Sequence, residues 1–277
     1  MWKFITSLLL FIALSGCSIN RLPGNLSMAM MNQDATDIVA AGAPAYLLLL
    51  DALILTYPED EAYLLAGARL YSAYAGTFTS DEAQTKLLAN KALDYSQRAL
   101  CANSTKTCGL MELPLEDLNE HLDHLKPKQL NLTYTAATTW ASWIQSNSDD
   151  WNAIAQLSKV KALLSWAESI DAGYDNGMLQ VYLGVLETQL PPSVGGKPEI
   201  GRKHFEQAIA VSHGQNLMAY VMFAKQYARL MFEQDLHDEL LHKALAADPN
   251  ASGLTLINRL AQQEAEILLA NSANYFE

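Results

Sequence analysis

The sequence predicts an all-α protein of tetratricopeptide-like helical hairpins stacked as a compact α-solenoid. Three observations predict it. Apolar residues recur at three- and four-residue spacing almost throughout, and the β-branched alternation of a half-buried strand is absent. Three segments also pair a large apolar residue with a small one where the helices of such a hairpin would cross closely. These are Leu241 with Ala244 ahead of Pro249, Phe205 with Ala208 after Leu183 and Gly184, and Tyr95 with Ala99 after Ala68 and Tyr71.

The elements follow from the N-terminal side. A short helix is expected from about Ala29 to Ala41, and Pro44 suits the first turn of a second, very apolar helix that runs to Tyr57, where Pro58 stops it. Glu59 and Asp60 open a helix carrying Leu64, Leu65, Ala68, Tyr71 and Phe78. Ser80, with acids after it, starts one through Leu88, Leu93 and Leu100. Pro114 and Pro127 each precede a helical pattern, the second continuing through Trp140, Trp143 and Ile144. Asp149 or Asp150 caps a helix from Trp151 that ends at Gly173. Asn176 to Leu190 is the next helix, then a proline- and glycine-rich interruption from Pro191 to Pro198. Helices near Glu199 to Val211, Asn216 to Phe232, Asp235 to Ala247 and Leu254 to Ala270 complete the chain.

Ahead of this domain, Lys3 is followed by an apolar run from Phe4 to Leu14, then Leu14-Ser15-Gly16-Cys17. The run is too short for the roughly 20 residues of a spanning helix, and its layout is that of a secretory signal ending in a lipobox. Residues 1–16 are therefore expected to be cleaved, Cys17 to carry the lipid, and residues 17–27, with Pro23 and Gly24, to form a tether before the helical domain of residues 28–277. Two or three acyl chains, at about 0.8 kcal/mol per buried methylene, anchor a protein firmly. Ser18 rather than an aspartate follows the cysteine, which points to the outer membrane of the cell envelope, facing the periplasm.

Composition narrows the function classes. The formal net charge is −12, and loss of Lys3 with the signal takes it to −13, so nucleic acid and other polyanions are poor partners. No nucleophile elbow, phosphate-cradling glycine loop or zinc helix motif is present, and neither an enzyme activity nor a cofactor is expected. His121 and His124 share a helix face but lack further ligands, so they read as a solvated pair. Cys101 and Cys108 flank a polar stretch and suit a local disulfide in an oxidising compartment; two free thiols or half of a metal site are the alternatives.

Candidate binding residues come from three features. The aromatic stripes Tyr71, Tyr74 and Phe78, then Trp140 and Trp143, and Tyr182 either pack the core or line a groove. The insert around Gly195, Gly196 and Lys197 is longer than a simple turn needs and reads equally as a connector or a contact loop. Arg202, Arg229 and His237 stand out in an acidic chain, and an arginine in a cleft suits a carboxylate.

Several blocks in one order carry a resemblance. They are Ala45 to Leu53, Leu70-Tyr71-Ser72-Ala73-Tyr74-Ala75-Gly76, Trp140-Ala141-Ser142-Trp143-Ile144-Gln145, Tyr182 to Leu186, the loop from Pro191 to Gly201, Tyr227-Ala228-Arg229 and Leu236-His237-Asp238. From about Asp37 to the last helix the chain resembles the TatT family, the lipoprotein T components associated with TRAP transporters. The resemblance implies a tetratricopeptide-like lipoprotein able to form a homotrimer, with a pore or cleft for a hydrophobic or acidic small ligand. It implies as partner a periplasmic solute-binding protein of a TRAP transporter. It does not place Cys101 and Cys108, so the disulfide rests on local spacing. The expected function is thus a non-enzymatic accessory of solute uptake that docks a binding protein and shelters its ligand; a ligand-free envelope scaffold is the alternative. Exposed Tyr71 and Trp140 rings would favour the former, buried ones the latter.

Overall fold

The computed structural model describes residues 22–194 and 196–277; the signal, Cys17 and Gly195 lie outside them. Among the described residues every regular element is helical, as the periodicity predicts. The first departure is local. Helix α1, Leu22–Met31, occupies ground that composition reads as tether up to Ser27, and Pro23 falls in its first turn, where a missing N–H costs no hydrogen bond.

Helix α2, Thr36–Thr56, is continuous where two helices divided at Pro44 are expected. A proline inside a helix loses one hydrogen bond and crowds the carbonyl four residues back. Here that cost falls at half-exposed Ala40 and Pro44, between the buried anchors Val39, Ala43 and Leu47. Helix α3, Glu61–Thr77, starts as expected at Asp60, whose carboxylate accepts from the amides of Ala62 at 2.9 Å and Tyr63 at 3.1 Å. Helix α4, Glu82–Asn103, is capped by Asp81, one residue past Ser80.

Helix α5, Leu115–Leu122, follows Pro114, and a short turn at Pro127–Gln129 leads into α6, Leu130–Ser146. The helix expected from Trp151 is split into α7, Trp151–Ile154, and α8, Leu157–Ile170. At the break the Gln156 amide turns to the Ala153 carbonyl while its side chain takes the Asn152 carbonyl at 3.1 Å and accepts from the Trp140 indole at 2.8 Å. Helix α9, Met178–Glu187, and α10, Pro198–Val211, form a hairpin across the Pro191 to Lys197 connection. Helix α11, Leu217–Met222, runs into a π-helical turn at Phe223–Ala228. Helices α12, Gln234–Ala246, α13, Thr255–Ala270, and α14, Ser272–Phe276, finish the chain.

Packing follows chain order. Helix α3 packs on α4, both pack on α6, α6 on α8, α8 on α9 and α9 on α10; α11, α12 and α13 close the C-terminal end. Two hairpins use the same device. A Cβ on Gly67 of α3 would stand 2.8 Å from the Tyr95 ring of α4, and one on Gly184 of α9 the same distance from the Phe205 ring of α10. The sequence places Gly184 upstream of Phe205 on the partner helix; for Tyr95 it names Ala68, and the residue against the ring is its neighbour Gly67. Helix α9 joins two apolar clusters: Leu179 and Leu183 belong to the first, Val181 to the second with Phe205, Phe223 and Tyr227. The N-terminal segment folds back on α13, where Asp34 pairs with Arg259 and Thr36 accepts from Gln263. Cys101 and Cys108 are joined by a disulfide at the end of α4.

Candidate functional site

The aromatic candidates separate by burial. Tyr71 is 4% exposed and Trp140 2%, and their polar atoms are satisfied inside the protein, so both are core residues that no ligand reaches. The Trp140 indole donates to Gln156. Tyr71 donates to Asp51 at 2.8 Å, beside Tyr95, which donates to the other oxygen at 2.6 Å; Lys91 pairs with the same carboxylate and lies over the Tyr71 ring. Tyr74 and Phe78 pack together with their rings 5.7 Å apart at a half-exposed helix end. Trp143, half-exposed, donates to Asn90 at 2.6 Å. Tyr182 lies edge-on to Tyr134. The structure does not gather these rings into one groove lining.

The Asp51 cluster links α2 to α3 and α4 and makes stability depend on pH. Burial pulls the Asp51 carboxyl up, but hydrogen bonds from Lys91, Tyr95 and Tyr71 outweigh it and hold the group below its ordinary 3.8. A carboxyl depressed on folding stabilises the fold above its unfolded pKa and loses that contribution as pH falls through the lower folded value. Tyr95 acts at the other end. Burial, then Asp51, pushes its hydroxyl up from 10.0 to about 12, so its contribution is lost as pH climbs through that interval. The Asp51→Asn variant should have a flatter acid limb in urea-denaturation midpoints below about pH 5. An acid limb as steep as the parent's would show that Asp51 is not a source of the acid sensitivity.

The insert is tightly folded. The Gly196 amide donates to the Pro191 carbonyl at 3.1 Å and the Lys197 amide to the Glu187 carbonyl at 3.2 Å, while the Lys197 side chain is exposed. A side chain on Gly196 would run into the backbone of Leu190, which is reason enough for glycine there. Arg202 pairs with Glu206 at 2.9 Å and lies over the Tyr227 ring.

Arg229 has a different setting. It follows the π-helical turn, which inserts a residue's worth of rotation into the helix and re-aims what comes after. Its Nε donates to His237 Nε2 at 3.3 Å and its guanidinium stacks 4.3 Å from the centre of the Tyr275 ring. His237 is fully buried, and with Nε2 accepting, its Nδ1 donates to Asp238 at 2.8 Å. Burial would raise the Asp238 carboxyl, yet hydrogen bonds from Ser272 and His237 hold it below 3.8. His237 is therefore a positioning residue, out of reach of any ligand. Arg229 itself opens on a shallow cleft of about 360 Å³ with Ile267, Leu268, Asn271, Asn274 and Tyr275. That lining offers one cation and two amides on an apolar wall, which suits a carboxylate and provides no nucleophile paired with a base.

Pairing also singles out a residue that the sequence reading passed over. Of the five described arginines, Arg98, Arg202 and Arg259 have a carboxylate partner, whereas Arg69 and Arg229 have none among the described residues. Arg69, within the apolar Leu64 to Leu70 stretch, is as rare a cation in this acidic chain as Arg229. No group of three or more His, Cys, Asp or Glu able to hold a metal occurs among the described residues. His121 instead contacts the Lys106 carbonyl.

Comparison with known proteins places this architecture. A search of curated proteins returns no match. A family model, described as TRAP transporter T-component, matches residues 32–276, from just ahead of α2 to the end of α14. With nearly the whole helical domain covered, the chain belongs to the TRAP transporter T-component family, and its role is that of an accessory to TRAP transport in the cell envelope.

Proposed function

We propose that the protein is a lipid-anchored T component, held through Cys17 in the outer membrane, that docks a periplasmic solute-binding protein and shelters a small carboxylate-bearing ligand at the Arg229 cleft. The observation that carries this reading is the family match over residues 32–276. The cleft supports the ligand part, since it sets an arginine without a carboxylate partner against Ile267, Leu268 and Tyr275. Burial of Tyr71 and Trp140 favours the alternative, a scaffold without a ligand, for the face those rings would have lined. Immobilised protein exposed to a periplasmic extract should retain a solute-binding protein identifiable by mass spectrometry. Recovery of none under mild conditions would count heavily against the transporter reading.

The proposal includes assembly with further copies of the chain, and α2 supports it. This helix is long and apolar enough to span a membrane by length and composition, yet only Val39, Ala43, Leu47 and Ile54 are buried. Its exposed residues Ile38, Ala41, Ala45, Leu48, Ala52 and Leu55 follow one another at alternating steps of three and four, the spacing of a helix–helix seam. Leu48 is 69% exposed and Leu55 83%. Small residues between large ones let helices approach closely, and the seam carries no charge to oppose it. The double variant Leu48→Glu, Leu55→Glu should be monomeric in light scattering with unchanged helicity. A parent protein that is itself monomeric at tens of micromolar would remove the self-association part.

A further inference from the structure

We propose that Arg69, with Asn131 and Tyr174, forms a carboxylate-binding site separate from the Arg229 cleft. Arg69 lies on α3 and is exposed, but its guanidinium is held in place. Its Nε donates to Thr135 Oγ1 at 2.9 Å, and its Nη2 donates to the Asn131 side-chain oxygen. The Thr135 proton is already committed to the Asn131 carbonyl at 2.7 Å, so the hydroxyl oxygen can only accept from the arginine. Tyr174 donates to the same Asn131 oxygen at 3.1 Å, fixing the amide orientation. The protein thus uses neutral acceptors alone to orient a permanent cation.

This arrangement leaves donors unused. Nη1 has no partner among the described residues, nor does the Asn131 amide nitrogen, and Nη2 keeps one hydrogen in hand. The free Nη1–Nη2 edge is the fork that receives a carboxylate side by side. Beside it stands the half-exposed ring of Tyr174, backed edge-on at 5.0 Å by the buried Tyr134, giving one aromatic face for the body of the ligand. In a chain of net charge −12 a structural arginine has ample carboxylates to pair with, so one oriented entirely by neutral groups is set up for an anion from outside.

The site also limits the charge of its ligand. Asp175 accepts from the Tyr134 hydroxyl at 2.8 Å, and both Asp175 and Arg69 act electrostatically on that hydroxyl. A second negative group on the ligand would face Asp175, so the site fits a monocarboxylate with an apolar body. It stands or falls independently of whether the chain serves a transporter.

Benzoate and its neutral isostere benzamide, titrated into the purified protein by isothermal calorimetry, test this. Benzoate should bind saturably and benzamide should not. In an Arg229→Gln background, which removes the other carboxylate-binding cleft, Arg69→Gln should weaken benzoate at least tenfold. In the same background Asn131→Asp supplies an internal carboxylate to Arg69 and should abolish binding without loss of helicity or thermal stability, which covers the case in which Arg69→Gln fails to fold. Absence of saturable benzoate binding in that background would overturn the proposal. So would unchanged affinity in Asn131→Asp.

Discussion

Replacing Phe205 by alanine should destabilise the protein by about 3–5 kcal/mol, lowering the melting temperature by roughly 10 °C. The ring is fully buried, stacks on Phe223 with centroids 5.4 Å apart, and lies against Gly184 of the facing helix. Glycine opposite an aromatic ring leaves nothing that can swing into the vacated space, so the cavity stays open and the cost lies near the top of the range. Phe205→Leu, which keeps most of the volume, should cost under about 2 kcal/mol. Chemical denaturation of both variants measures the difference. Equal midpoints would mean that the α9–α10 hairpin is not held by this contact.

Gly177→Ala should cost about 2–5 kcal/mol for different reasons. Gly177 has φ 81°, in the left-handed region, and a Cβ there would lie 2.8 Å from the Ala208 carbonyl oxygen, a backbone atom that cannot rotate away. The left-handed conformation alone costs a non-glycine residue about 1–2 kcal/mol, and overpacking adds about 1–3 kcal/mol. Asp175 and Asn176 just before it are also left-handed, at φ 56° and 51°, so the turn has little slack to absorb a shift. The same turn supplies Asp175 and Tyr174 to the Arg69 site. Gly177→Ala should therefore weaken benzoate binding as well as the fold. A variant with parental stability would show that the α8–α9 turn relaxes freely.

The helical class was legible because burial of one helix face leaves a period in the sequence whatever the neighbour is. Capping was legible for a similar local reason: Asp60 and Asp150 bond to amides two or three residues on, within the reach of pattern alone. Continuity was less so. Pro44 signals a start by local preference, but the packing of Val39, Ala43 and Leu47 along one face carries the helix through it. At Gln156 a helix that periodicity would continue is interrupted where the side chain takes the Asn152 carbonyl and meets an indole 16 residues away. The π-helical turn before Arg229 has no local signature in an otherwise regular run of apolar positions.

By itself the sequence determined the all-α class, the order of the helices and the placing of Gly184 on the helix that partners Phe205, all of which rest on spacing along the chain. Family membership was legible too, from blocks of residues in a shared order. Only the tertiary structure decided which aromatics face inward and which arginines lack a carboxylate. Tyr71 and Tyr74 have the same spacing pattern but different fates, because Asp51 and Lys91 arrive from other helices to enclose the first. Arg259 and Arg69 both lack an acidic residue three or four positions away in the sequence. They differ because Asp34 reaches the first from the N-terminal segment, whereas the second meets Thr135 and Asn131 across more than 60 residues of chain. Spacing reports what a helix face needs, and the partners that meet that need come from distant parts of the chain.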